Sequence, residues 1–206
     1  AIIDRGEVVW DVVSEERSLA DGTRATVWVP VSRPVKLDGI RVSNLLYPNA
    51  IRLGDRMGGL LLPTPRIADM VHRAAVVRYA HQPQPQHVAA ETNTTKTSTI
   101  DHSRAVDNAI AGRTGLDDNG GKWFVLVKRF WQDRPDKSGI YGWWKLDGQI
   151  IQADGAPNAS NTPHELAFAD YSQVLRYAGP TVAIQEAGQP AFTMNTGDVY
   201  MSERYA

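Results

Sequence analysis

Apolar residues near the start of the chain recur with the period of a strand. Glu7-Val8-Val9-Trp10-Asp11-Val12-Val13 is β-branched and apolar, and Thr26-Val27-Trp28-Val29-Pro30-Val31 alternates more cleanly. Asp21-Gly22 between them is a turn signal, and Arg41-Val42 predicts a further short strand. The pattern then lengthens to that of helices. A first helix is expected from Pro48, whose fixed φ suits an opening turn, to Gly58-Gly59. A second has Thr64 as cap, Pro65 in its first turn and Asp69 early, where the helix dipole favours negative charge. Ile67, Met70, Val71 and Ala74 form its apolar stripe.

Residues 80–98 break the pattern. His81-Gln82-Pro83-Gln84-Pro85-Gln86-His87 lacks the backbone donors of a regular element, and the stretch after it is polar and Thr-rich. This reads as an extended connection of polyproline type. A third helix is expected from Asp101 to Gly112, with Ala105, Val106, Ala109 and Ile110 inward. The remainder reads as strands: Trp123 to Trp131, then Ile140 to Leu146 turned by Asp147-Gly148 into Gln149 to Gln152. Asp154 to Pro163 is a loop. Tyr171 to Tyr177, Thr181 to Gln185 and the segments around Phe192 and Val199-Tyr200-Met201 follow as strands. The order implies an α+β fold, a mostly antiparallel sheet with about three helices in the N-terminal half. It implies one domain over 1–206, with 80–98 as an extended connection and 186–206 as a β-like C-terminal extension.

Composition narrows the function classes. Across 206 residues the apolar share is 42%, the charged share 22% and the net charge −1, as in globular proteins. That balance argues against nucleic acid as a partner, which calls for a basic excess. The absence of cysteine removes thiolate nucleophiles and cysteine-ligated metals. No apolar run reaches the ~20 residues of a membrane span. The chain opens on Ala1 without a basic-then-apolar leader, a start that export processing, trimming or methionine removal each accommodates.

Three stretches carry chemistry. Ile140-Tyr141-Gly142-Trp143-Trp144 offers flat aromatic faces with polar tips, suited to a glycan groove, and Gly142 permits close approach of a ligand. The plainer reading puts Tyr141 and Trp143 on one sheet face, packing the core. His164, Asp170 and Ser172 supply the residue types of base, orienter and nucleophile, in no standard spacing. The plainer reading pairs Asp170 with Arg176. Lys122 follows Gly120-Gly121 at the entry to a strand, where a desolvated lysine serves as base or anion ligand and a solvated one is an edge charge; the spacing is not that of a P-loop. The histidines lack metal-ligand spacing: His72 has Val76 at i+4, and His81 and His87 have no carboxylate between them. A composite of His72, His102, His164 and Asp170 is a weak metal candidate, so no metal or cofactor is expected.

From about Ile40 to Tyr177 the chain resembles a bacterial family without assigned chemistry. The matching fragments are Leu62-Pro63-Thr64-Pro65-Arg66, the Pro/Gln segment, a helix containing His102, Ile140-Tyr141-Gly142-Trp143, and His164 followed by Asp170-Tyr171-Ser172. Where the family pattern has Gly-His-Lys-Lys-Asp, this chain has Gly120-Gly121-Lys122-Trp123-Phe124. Trp144 replaces a histidine, and Ser172-Gln173-Val174 replaces Ser-His-Gly. The resemblance implies a hydrolase-like constellation that has lost polar members here and gained aromatic ones.

Two expectations follow. One is a hydrolase-like domain acting on an extracellular polymer, glycan or peptidoglycan, through His164, Asp170, Ser172 and Lys122, with Tyr141, Trp143, Trp144 and His102 holding substrate in a degenerate version of the site. The other is a non-catalytic binding or assembly module of a cell surface or virion, forming a homo-oligomer through the arm at 80–98. Secretion or an extracellular setting suits both.

Overall fold

In the computed structural model, residues 8–87, 89, 92–118, 120–154 and 164–205 are described. Two strands, β1 (Trp10–Ser18) and β2 (Arg24–Ser32), form the first hairpin, with Val13 opposite Val29 and the turn at Asp21-Gly22. Alternation along β2 buries Ala25, Val27, Val29 and Val31. β1 starts later than its apolar run suggests and continues through Glu15-Glu16-Arg17, because its outer face carries charge. β3 (Lys36–Leu37) and β4 (Ile40–Arg41) make a short second hairpin.

Three helices follow: α1 (Tyr47–Arg56), α2 (Pro65–Ala74) and α3 (Lys96–Ile110). The Thr64 hydroxyl accepts from the Ile67 amide at 3.3 Å, so α2 is capped as its sequence indicates. α3 begins five residues before the expected Asp101. Thr95 is the cap, accepting from the Ser98 amide at 3.0 Å, and Asp101 lies inside the helix. The polar Thr/Ser run hides this start, since such residues favour caps and turns over helix interiors. The arm is not extended throughout: Pro85–His87 forms a 3-10 turn.

The apolar run from Trp123 splits. β5 (Lys122–Val125) is a strand, but α4 (Lys128–Asp133) is a helix burying Phe130. A short apolar run does not distinguish strand from buried helix, and here the helix prevails. β6 (Lys137–Trp144), β7 (Ile150–Ala153), β8 (His164–Glu165) and β9 (Gln173–Val174) complete a second sheet. β6 pairs antiparallel with β5, β7 and β8, whereas β9 runs parallel to β5. Apart from Asp154, the loop expected to Pro163 lies outside the described residues. β10 (Thr181–Glu186) joins β2, and β11 (Phe192–Asn195) joins β10 in the first sheet. Val199-Tyr200-Met201 is helical rather than a strand: α5 (Thr196–Met201) is capped by Asn195, which accepts from the Gly197 amide at 2.8 Å. The molecule is α+β.

The second sheet is covered on both faces, which explains the near-continuous apolar run of β5. Trp123 and Val125 face the first sheet and α2, while Phe124 and Ile140 face α1. Among the described residues no helix is long and apolar enough to cross a membrane.

Candidate functional site

Lys122, Asp170 and Ser172 meet where β5 and the segment before β9 lie side by side, with Lys122 opposite Gln173. The Lys122 ammonium stands 2.8 Å from Asp170 Oδ2. Asp170 Oδ1 accepts from the Ser172 hydroxyl at 2.6 Å and from the Ser172 amide at 2.7 Å, an Asx turn that fixes the carboxylate. Burial pushes the Asp170 carboxyl up, but the Lys122 cation and the Ser172 hydroxyl and amide outweigh it and hold it below the ordinary range. The expected partner Arg176 is elsewhere, donating to Asp117. Lys122 is not a solvated edge charge, since its side chain is 13% exposed.

The backbone brings Trp143 to this pair. Alternation from Tyr141 would put Trp143 on the Tyr141 face. Gly142 at φ 114° and Trp143 at φ 62° break the pleat. The Trp143 ring then lies under the Lys122 ammonium, 5.2 Å from its centroid, so Tyr141 and Trp143 do not share a face. His102 from α3 approaches edge-on to Tyr171 at 5.3 Å and to Trp143 at 6.4 Å. Burial, then the nearby Arg41, drives its imidazole down to about 4, so it is neutral at pH 7.

The arm closes over this cluster. His81 meets Trp143 at 5.3 Å, His87 meets Tyr171 at 6.3 Å, and the Gln84 amide donates to the Tyr171 hydroxyl at 2.9 Å. His87 is held to Asp101 at 2.9 Å. The described part of the arm therefore packs on its own chain. Around the pair, five buried polar atoms find no partner among the described residues: His81 Nδ1, His87 Nδ1, His102 Nε2, Trp143 Nε1 and Gln173 Nε2. Buried polar groups are nearly always satisfied, by protein or by ordered water, so these atoms are the polar capacity of the cluster that its described neighbours leave unused.

Other expected members lie apart. His164 pairs with β6 at Ser138, four residues from the Gly142 that faces Lys122, or about 13 Å along the strand. Its Nδ1 is 3.0 Å from Asp154 and its ring lies against Phe168 at 4.6 Å. His164 therefore cannot exchange a proton with Ser172. Ser172, 1% exposed and committed to Asp170, forms the turn rather than presenting a nucleophile. Trp144 turns to the core, stacked on His72 at 4.6 Å and edge-on to Trp123 at 5.6 Å, so it offers no substrate face. The Tyr141 hydroxyl donates to Asp69 at 2.9 Å, in a different cavity. That cavity, about 570 Å³, does not reach Lys122 or Asp170. Cavity size and titratable chemistry thus point to different places; the unpartnered polar atoms favour the Lys122 cluster.

The sequence reading missed His81, His87, Gln84 and Tyr171 as members. Pro83 and Pro85 were the usable signal, because two prolines stiffen a segment enough to place side chains. It also missed the buried Asp118, which holds His72 Nδ1 at 2.7 Å. Among the described residues no three His, Asp or Glu side chains converge to hold a metal ion. Comparison with protein-family models, with curated proteins and with solved structures gives no match.

Proposed function

We propose that the chain is a hydrolase-like domain with a degenerate site, and that the Lys122 cluster binds a polar polymer of glycan or peptidoglycan type. The observation that carries this reading is the ring of unpartnered buried donors and acceptors around the Lys122–Asp170 pair. A sugar presents both hydroxyl donors and acceptors, and an N-acetyl group adds an amide. His102, Gln173, Trp143 and Tyr171 are buried under the arm, so binding calls for the arm to open; neutral His102, the Trp143 indole and the Gln173 amide would then meet these groups, with the Trp143 and Tyr171 rings as flat apolar contact.

Binding without turnover is favoured over hydrolysis by Ser172. Its hydroxyl is buried and engaged, and Asp170 is already neutralised by Lys122, so no activated nucleophile is at hand. An extracellular or cell-surface setting belongs to the same proposal. The test is titration of soluble chitin and peptidoglycan oligomers into the wild-type protein and into Lys122→Met and His102→Gln variants, with product analysis alongside. Binding to the wild type that weakens about tenfold in either variant, with no cleavage, is the expected result. Cleavage of the oligomers that survives in His102→Gln contradicts the degenerate-site reading. Undiminished binding in both variants removes the site.

A further inference from the structure

A cleft of about 430 Å³ opens between the β3–β4 hairpin and the C-terminal end of α3, away from the Lys122 cluster. Its charges are uneven. Arg33 meets Asp11 at 2.7 Å, and the buried Arg176 meets Asp117 at 3.1 Å. Asp107 is shared, 3.1 Å from the Lys36 ammonium and 2.7 Å from Arg41 Nη1. Arg113 reaches only carbonyls, those of Ala109 and Ile110 at the end of α3 and that of Arg78. Two positive charges are therefore left without a carboxylate among the described residues. Asp38, in the hairpin turn, lines a separate hollow with Asn44 and Thr95. The end of α3 carries about half a negative charge, so the surplus stays above one. Arg41 is fixed from behind by the Ser103 carbonyl at 3.1 Å. With its side chain 3% exposed, it acts through its charge at the floor rather than by contact. The rim is open: the Lys36 and Arg33 side chains are 36% and 31% exposed, and Arg113 is exposed. Each keeps N–H donors that no described residue accepts.

We infer that this cleft binds a phosphate monoester, its dianionic head held by Lys36, Arg113 and Arg33 and its body lying on Val9 and Ile110. A phosphate head presents three acceptor oxygens and close to two negative charges, which suits both the donors left over and the surplus of charge. Guanidinium forks and a lysine ammonium are the usual partners of such a head. Val9 is 46% exposed and Ile110 is half-buried, so both offer apolar surface that a bound body can cover. The volume is that of ordinary small-molecule sites. This inference does not depend on the polymer site, because the two share no residue.

The test is calorimetric titration of the whole chain with phenyl phosphate, inorganic phosphate, benzenesulfonate and benzylammonium. Phenyl phosphate should bind at least about tenfold more tightly than benzenesulfonate, which has the same ring and a single negative charge, and benzylammonium should not bind. It should also bind at least about threefold more tightly than inorganic phosphate, which lacks the body. Lys36→Gln and Arg113→Gln should each weaken phenyl phosphate about tenfold. In K36Q the Asp107 carboxylate keeps Arg41 as its partner, so that variant should fold. R113Q also removes donors from the end of α3, and if it fails to fold K36Q carries the test alone. Equal binding of benzenesulfonate, binding of benzylammonium, or no binding of phenyl phosphate at millimolar concentration overturns the inference. Equal affinity for inorganic phosphate assigns the cleft to the free anion and overturns the ester. A folded K36Q protein that keeps full affinity for phenyl phosphate also overturns it.

Discussion

His102 shows how one side chain joins folding to chemistry. It is 1% exposed and its imidazole sits near 4, so the folded protein holds it neutral while the unfolded chain protonates it near 6.5. Between those values the unfolded state binds the extra proton, and stability falls as the pH drops from about 6.5 toward 4. The loss is on the order of 3 kcal/mol if the whole shift is expressed. Asp170 acts in a different window. Its carboxyl is depressed, so its contribution is intact above its unfolded value and disappears as pH falls through its lower folded value. Urea denaturation across pH should therefore show a slope between 6.5 and 4 that His102→Gln flattens, with the steeper acid loss below it retained. Lys122→Met should cost about 2–4 kcal/mol at neutral pH, because Asp170 stays buried without its cation. It should also raise the Asp170 carboxyl, readable by carbon NMR titration. Lys122 and Asp170 were legible as candidates, since both types stood beside glycines or aromatics. Their pairing was not, because it depends on the parallel β5–β9 contact across 48 residues of sequence.

At the scale of elements, caps and kinks decide where side chains point. Thr95→Ala should lower stability by about 1 kcal/mol through loss of the α3 cap. Asp101→Ala should leave the cap intact and free only the His87 end of the arm. Gly142 sits at φ 114°, and a Cβ there would lie 3.1 Å from the Trp144 ring. Gly142→Ala should therefore cost about 1–3 kcal/mol and move Trp143 from Lys122, which the intrinsic tryptophan fluorescence would register. Tyr171→Phe removes the acceptor for the Gln84 amide, so exchange at that amide should quicken without global loss of stability. The hairpins and α2 were readable because alternation, Asp-Gly turns and a Thr-Pro start act locally. α4 and α5 were not, because apolar runs of this length suit either element until packing chooses. The arm was legible as irregular backbone. Its position over Trp143 and Tyr171 is a tertiary contact that no local pattern encodes.

The whole molecule is organised around a second sheet buried on both faces, and beside Lys122–Asp170 its interior carries a second buried ion pair, Arg176–Asp117. Arg176 is fully buried, donates to the Asp117 carbonyl at 2.9 Å and to its carboxylate at 3.1 Å, and lies 4.4 Å from the Trp123 ring centroid. The Tyr79 hydroxyl also donates to Asp117 at 2.8 Å. Arg176→Ala strands that carboxylate and should cost about 3–5 kcal/mol in denaturation, enough to threaten folding of a domain of this size. This arrangement ties the β9 end of the second sheet to the segment before β5, and so holds the backbone on which Lys122 and Asp170 meet. The proposed polymer site and the cavity of about 570 Å³ lie on opposite faces of that sheet, Lys122 on one and Tyr141 on the other. The measurement that bears most directly on the account is a nitrogen-15 NMR titration of the histidine and tryptophan rings with peptidoglycan or chitin oligomers. The account predicts that His102, His81 and the Trp143 indole shift together while His164 and His72 stay fixed. Shifts confined to His164 or His72, or no ring shift at saturating oligomer, would contradict it.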